Sequence, residues 1–153
     1  LSEHPNVVGI KDSRGRLELV AELVETCAAG FQVLVGNGAL LFDALETGAA
    51  GGILGVANLL PGESAAIVSA WHDGRAHEAA ELQALVAPVH QAVVGGMGVP
   101  GVKAGLDLMG LYGGSPRPPL HPLPEARMGE LREVLAQAGV SISPPGAPER
   151  SGV

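Results

Sequence analysis

The stretch His4-Pro5-Asn6-Val7-Val8-Gly9-Ile10-Lys11-Asp12 ends a short apolar run on a lysine. Val7, Val8 and Ile10 are strand formers in a run too short for a helix, and Ser13, Arg14 and Gly15 supply a turn before a helical pattern starts at about Leu17. Lys11 is therefore expected at the carboxyl end of a strand. Side chains alternate along a strand, which puts Val7, Gly9 and Lys11 on one face and Val8 and Ile10 on the other. In a central strand of an α/β fold one of these faces is enclosed, and Lys11 is expected to point into it.

A lysine so placed reads in two ways. It snorkels to solvent or pairs with Asp12 or a nearby glutamate, or it serves as an amine nucleophile. An ordinary lysine has a pKa of about 10.4, so on the order of one molecule in two thousand carries the free amine at neutral pH. Burial or a neighbouring cation raises that fraction and lets the amine attack a keto group to form a Schiff base. The resulting iminium is an electron sink that stabilises a carbanion on the adjacent carbon, as aldol cleavage or condensation requires.

Outward from this stretch, Leu19, Val20, Leu23, Val24 and Cys27 recur at helical spacing over Leu17 to Ala28, and Gly30 ends that helix. Phe31 to Val35 reads as a second strand, followed by Gly36-Asn37-Gly38 and a helix from about Ala39 to Glu46 that closes at Gly48. Gly51 to Val56 reads as a third strand whose glycines imply close backbone approach. Helices are then expected over Glu63 to His72 and Ala76 to Val94. The second carries an apolar stripe of Leu82, Leu85, Val86, Val89 and Val93 and is bent by Pro88. Gly95, Gly96 and Gly98 suggest a hinge-like loop before a helix over Val102 to Leu111. Tyr112 to Pro122, with four prolines, is extended, and Ala126 to Ala138 is a final amphipathic helix with Met128, Leu131, Val134 and Leu135 as its stripe. From Ser141 onward Pro, Ser, Gly and charge predict a disordered tail.

The alternation of strands and helices calls for a parallel sheet with right-handed crossovers, its residues of interest at the carboxyl ends of the strands. No glycine-rich loop fits a nucleotide. Gly95 to Gly98 follows a helix, and Gly36-x-Gly38 lacks the third glycine and the ribose-binding acid.

Composition narrows the partners. A net charge of -7 with 9 basic residues scattered among 153 argues against nucleic acid or an anionic membrane. The five histidines form no zinc spacing, and His72 and His77 read as surface residues. No metal and no cofactor are expected. A single cysteine, Cys27, excludes an internal disulfide and fits a reducing, cytoplasmic setting. No run of about 18 uncharged apolar residues reads as a membrane span. The chain opens on Leu1 rather than methionine and enters a strand at once, which suggests a piece of something longer.

With these residues in view, the chain resembles the carboxyl-terminal half of the dihydrodipicolinate synthase / N-acetylneuraminate lyase family, the pyruvate-dependent class I aldolases. Val8-Gly9-Ile10-Lys11-Asp12-Ser13, Val35-Gly36-Asn37, Gly51-Gly52-Ile53 through Ala57-Asn58, Gly98-Val99-Pro100-Gly101-Val102-Lys103 and Leu111-Tyr112-Gly113-Gly114 carry the likeness. The resemblance implies an α/β fold made of the last three parallel strands of a TIM (β/α)8 barrel over residues 1–75, a helical carboxyl-terminal extension over 76–140 and a tail over 141–153. It further implies that Lys11 forms the iminium, that Ile53 lines the pyruvoyl pocket with its backbone, and that Gly36 and Asn37 shape the distal substrate region. Pyruvate with an aldehyde, or a 2-keto acid, is the implied substrate, and the full-length form is implied to be a homo-oligomer.

The family's proton-relay tyrosine and its threonine-rich carboxylate loop have no counterpart here. Tyr112, the one tyrosine, lies in the Tyr-Gly-Gly segment. The chain is accordingly expected to be either a Schiff-base lyase completed by a missing half, or a noncatalytic fragment or assembly partner. Asn37 and the segment from Tyr112 to Leu120 lean towards 4-hydroxy-2-oxoglutarate aldolase-like or keto-deoxy sugar-acid enzymes over dihydrodipicolinate synthase. Without the earlier strands, a face including Val7, Val33 and Ile53 is expected to be left uncovered.

Overall fold

The structure is a computed structural model and describes residues 1–142; the tail expected from Ser141 lies outside the described residues beyond position 142. A three-stranded parallel sheet, β1 (Gly9–Asp12), β2 (Gln32–Val35) and β3 (Gly51–Gly52), runs in the order β1-β2-β3. The crossovers are α1 (Leu17–Thr26) and α2 (Leu41–Glu46), the latter entered through a 3-10 turn over Gly38–Leu40. Then come α3 (Pro61–His72), α4 (Ala76–Val89), α5 (Gly98–Leu108) and α6 (Met128–Gln137).

Register decides which residues share a face. Ile10 pairs with Val33, Lys11 with Leu34 and Asp12 with Val35, while Leu34 and Val35 pair with Gly51 and Gly52. Val33 and Val35 are buried in a core continuous with Leu41, Val56, Ile67, Val86 and Leu135. Alternation then places Lys11, Leu34 and Gly51 together on the opposite face. That face is not enclosed: Lys11 is exposed. The enclosure expected of a central strand does not apply among the described residues, where β1 stands at the edge of the sheet. Val33 likewise does not belong to the uncovered face, since it is one residue out of phase with Lys11 and Leu34; Ile53, 58% exposed, does lie open.

The third strand is much shorter than the stretch Gly51 to Val56 suggests. Ile53 N–H still reaches the Val35 carbonyl at 2.9 Å, but Gly55–Asn58 then coil into a 3-10 turn. Val56, Leu59 and Leu60 are each at most 2% exposed. Burying them together needs helical spacing, so hydrophobic demand ends the strand.

The helices form the larger part of the core. α3 opens on Pro61, whose missing N–H is unneeded in a first turn, packs along α4 and meets α2 where Phe42 and Trp71 lie edge to face at 5.8 Å. Gly74, at a φ of 76°, makes the turn between them. α4 passes Pro88 without ending, and the chain widens from His90 to Gly95 into an underwound π-helical turn, with Gly96 N–H donating to the Gln91 carbonyl. The expected hinge-like glycine loop is therefore that π turn, a bend of 118°, and the start of α5, in which Pro100 occupies the first turn. The buried stripe of this helix is Ala79, Gln83, Val86, His90 and Val93, whereas Leu85 faces outward, 38% exposed. Tyr112 to Pro122 is free of helix and strand, and α6 buries Leu131 and Leu135 completely. Among the described residues no single helix is long and apolar enough to cross a membrane.

Candidate functional site

The carboxyl ends of β1 and β2 bring Lys11, Ser13, Gly36 and Asn37 to one rim. Lys11 Nζ donates to Ser13 Oγ at 3.0 Å. Asp12 points the other way and is 5% exposed; its carboxylate is held by Arg14, which approaches one oxygen at 2.5 Å while the Arg14 N–H donates to the other at 2.9 Å. Asp12 is thus committed to Arg14 and leaves the Lys11 amine to the serine. Such alternation is what a strand imposes on adjacent residues.

Gly36 lies directly over the lysine. Its N–H continues the ladder to the Asp12 carbonyl at 2.6 Å. A Cβ at this position would sit 2.9 Å from Lys11 Cδ and collide with Ser13 Oγ. With no side chain at this position, the lysine and the serine keep the conformations they have here without having to move aside. Gly52, by contrast, faces Leu41 and Leu54, where an added Cβ would meet their side chains at 3.1 and 2.7 Å.

Asn37 spends its side-chain oxygen on the fold: Ala39 N–H donates to Asn37 Oδ1 at 3.0 Å, capping the 3-10 turn. Its amide nitrogen stands beside Gly15, on the loop after β1. A shallow recess of about 430 Å³ opens on this rim, lined by Gly15, Arg16, Leu17, Glu18 and Leu40. Ile53 follows β3 at the level of Gly36, its N–H used by Val35.

Two side chains with no role assigned from the sequence hold this rim from behind. Gly38 N–H donates to His90 Nδ1 at 3.2 Å, and Gln83 Nε2 donates to the Gly38 carbonyl at 3.0 Å, while Gln83 Oε1 accepts from Phe42 N–H at 2.9 Å. Both residues are 8% exposed, and burial lowers the His90 pKa. The available signal was two polar residues seven apart within an otherwise apolar stripe, a spacing that puts them on one helix face.

Farther off, Lys103 Nζ donates to the Gly113 carbonyl and Asp107 Oδ1 accepts from Gly113 N–H at 2.7 Å, pinning the Tyr-Gly-Gly segment to α5 with the Tyr112 side 89% exposed. Among the described residues, no three His, Cys, Asp or Glu side chains gather to hold a metal.

The dihydrodipicolinate synthetase family model matches residues 1–138. The 4-hydroxy-tetrahydrodipicolinate synthase of Alcanivorax borkumensis is 36% identical over 140 residues, which are 92% of this chain and 48% of that protein. Among solved structures, the 4-hydroxy-tetrahydrodipicolinate synthase of Methylacidiphilum fumariolicum SolV is 32% identical with a TM-score of 0.79, covering 88% of this chain and 45% of that one. YagE, a prophage protein of E. coli K12 solved in complex with pyruvate, is 26% identical with a TM-score of 0.81, covering 89% of this chain and 47% of that one. The chain thus spans about half the length of the curated relatives it matches.

Proposed function

The chain belongs to the dihydrodipicolinate synthetase family, and from that premise we propose that it forms part of a Schiff-base lyase in which Lys11 attacks the keto carbon of pyruvate. The observation that carries this reading is the position of Lys11: it lies at the carboxyl end of a parallel strand, on the uncovered face of the sheet, with its amine on Ser13 Oγ and its stem under Gly36.

The neutral amine adds to the keto carbon, the keto oxygen leaves as water after taking up protons, and a protonated iminium remains. Loss of a proton from the neighbouring methyl carbon gives an enamine, which attacks the carbonyl carbon of the second substrate; reversal of these steps is aldol cleavage. Ser13 Oγ, able to accept from the ammonium and to donate, directs the amine. Gly36 leaves the approach to it free, Asn37 fixes the loop that borders the second substrate, and the Ile53 backbone borders the pyruvoyl end.

In this reading β1, β2 and β3 are the last three strands of a TIM barrel within residues 1–75, residues 76–140 form a helical extension, and the other strands cover the face that carries Lys11. The assembled enzyme is a homo-oligomer. Pyruvate serves both substrate classes weighed from the sequence. The curated relatives described above lend the lean towards 4-hydroxy-2-oxoglutarate no support, and the synthase reaction with an aldehyde partner is the better proposal.

A second reading, a noncatalytic fragment or assembly partner, is favoured by the exposure of Lys11 on an uncovered sheet. Borohydride reduction in the presence of pyruvate, followed by peptide mass mapping, separates the two. In a full-length protein carrying this sequence the reduced adduct is expected on Lys11. An adduct confined to Lys103, or none in a protein that turns over pyruvate, would exclude the Lys11 assignment. The 153-residue chain alone, assayed the same way, tests the second reading: an adduct there removes it.

A further inference from the structure

We infer that His90 and Gln83 are positioning residues for the lysine site, acting through the backbone N–H and the carbonyl of Gly38. The inference rests on the lyase reading above, since it concerns how the loop over Lys11 is held.

The loop that follows β2 is short and begins with Gly36, beside the lysine stem. At its near end it is tied by Gly36 N–H to the Asp12 carbonyl, and Asn37 caps its own turn at Ala39. Neither bond holds the loop against the helices behind it. That function falls to Gln83 and His90, one on α4 and one on the π turn, which take the carbonyl and the N–H of the same residue, Gly38. A Cβ on Gly38 would stand 3.1 Å from His90 Nδ1 and 2.6 Å from Val56 Cγ1, so the peptide approaches both closely. Because His90 Nδ1 accepts, the ring proton belongs on Nε2, and the neutral form favoured by burial is the one that can make this bond.

α-type bonding continues up to His90, whose N–H reaches the Val86 carbonyl, so the seven-residue spacing keeps Gln83 and His90 on one helix face and lets both reach Gly38 before the π turn begins. Plain packing needs neither residue: a leucine and a methionine would fill the same space. Two polar side chains at 8% exposure are instead matched to the N–H and the carbonyl of a single residue two positions from Gly36. If Gly38 loses them, Gly36 is free to shift towards Lys11 Cδ, which an added Cβ at Gly36 would meet at 2.9 Å.

The test uses the full-length protein. Wild-type trapping with pyruvate and borohydride comes first, because its failure overturns the lyase reading and with it this inference, whereas the variants bear on the inference alone. With the adduct established, His90→Leu removes the acceptor and His90→Asn keeps one near the Nδ1 position. His90→Leu is expected to slow iminium trapping and lower kcat/KM by about tenfold or more, as small displacements at a reacting centre do. His90→Asn is expected to recover most of that loss. Gln83→Glu, which retains the acceptor for Phe42 N–H but not the donor to the Gly38 carbonyl, reads the same residue from its other side and is likewise expected to slow iminium trapping by several-fold or more. Trapping within about twofold of wild type in both His90→Leu and Gln83→Glu overturns the inference. So does an equal loss in His90→Leu and His90→Asn that merely follows their melting temperatures. Should His90→Leu not fold, Gln83→Glu with unchanged trapping is sufficient to overturn it.

Discussion

Gly38 and His90, 52 residues apart in sequence, are joined by a hydrogen bond of 3.2 Å in which the glycine N–H donates to Nδ1 of a ring that is 8% exposed. The bond requires a neutral ring, and burial pushes the His90 pKa below its ordinary value. The unfolded chain takes up the proton at about 6.5, before the folded chain does. Between those two values the unfolded state binds more protons, so stability rises with pH there and falls as the solution is acidified through about 6.5. The segments packed on the π turn are the 3-10 turns at 38–40 and 55–58, which carry no ionisable side chain, and α4, α5 and α6, whose ionisable residues are His77, Glu78, Glu81, Lys103, Asp107, Glu130, Arg132 and Glu133. Burial alone is the cause of the shift. Urea unfolding of the full-length protein between about pH 5 and pH 7.5 is expected to lose midpoint on acidification, with a shallower loss in His90→Asn. Identical pH slopes in the two proteins would count against a buried neutral histidine.

Gly36→Ala should impair the iminium step itself. From the sequence, Gly36→Val is expected to fill substrate space and raise the Michaelis constant while leaving the iminium step possible. The structure changes that expectation, because the new Cβ would meet Lys11 Cδ at 2.9 Å and collide with Ser13 Oγ. A fall of about tenfold to a hundredfold in the borohydride trapping rate is expected. A change confined to KM for the second substrate would show that the lysine stem moves aside at little cost.

Ser13→Ala removes the acceptor at 3.0 Å from the Lys11 amine. The serine is exposed, so stability should change by less than about 0.5 kcal/mol. Iminium formation, which needs an aimed amine, should slow by about tenfold. Stopped-flow quenching with borohydride checks it; equal rates for the variant and the parent would leave the serine without a role.

Leu135→Ala tests the helical part of the core. Leu135 is fully buried and belongs to the same apolar cluster as Val35 and Val56. Its truncation should cost about 2–5 kcal/mol. Denaturant titration giving less than about 1 kcal/mol would mean that α6 is not anchored through this residue.

The 153-residue chain expressed alone should self-associate. Val8 at 76%, Ile10 at 41% and Ile53 at 58% exposure lie on or beside a sheet whose β1 edge has no partner among the described residues. Size-exclusion chromatography that returns a monomer over a range of concentrations would show that these surfaces tolerate water.

Local pattern carried much of the fold into the sequence. Apolar recurrence and glycine or proline punctuation placed β1, β2, α1, α3 and α6 within a few residues of their observed limits, because period and turn chemistry are properties of neighbouring residues. The lysine at a strand end, with Gly36 and Asn37 after the next strand, was legible for the same reason. What neighbours do not specify is what lies opposite. Whether the Lys11 face is covered, and that Val33 falls on the other side of the sheet, follow from register and from which segments pack there. Gly51 to Val56 reads as strand by composition, yet burial of Val56, Leu59 and Leu60 coils its second half. His90 and Gln83 look like breaks in an apolar stripe until the fold brings Gly38 against them. A buried polar side chain is satisfied by a partner distant in sequence, and only the packed chain names that partner.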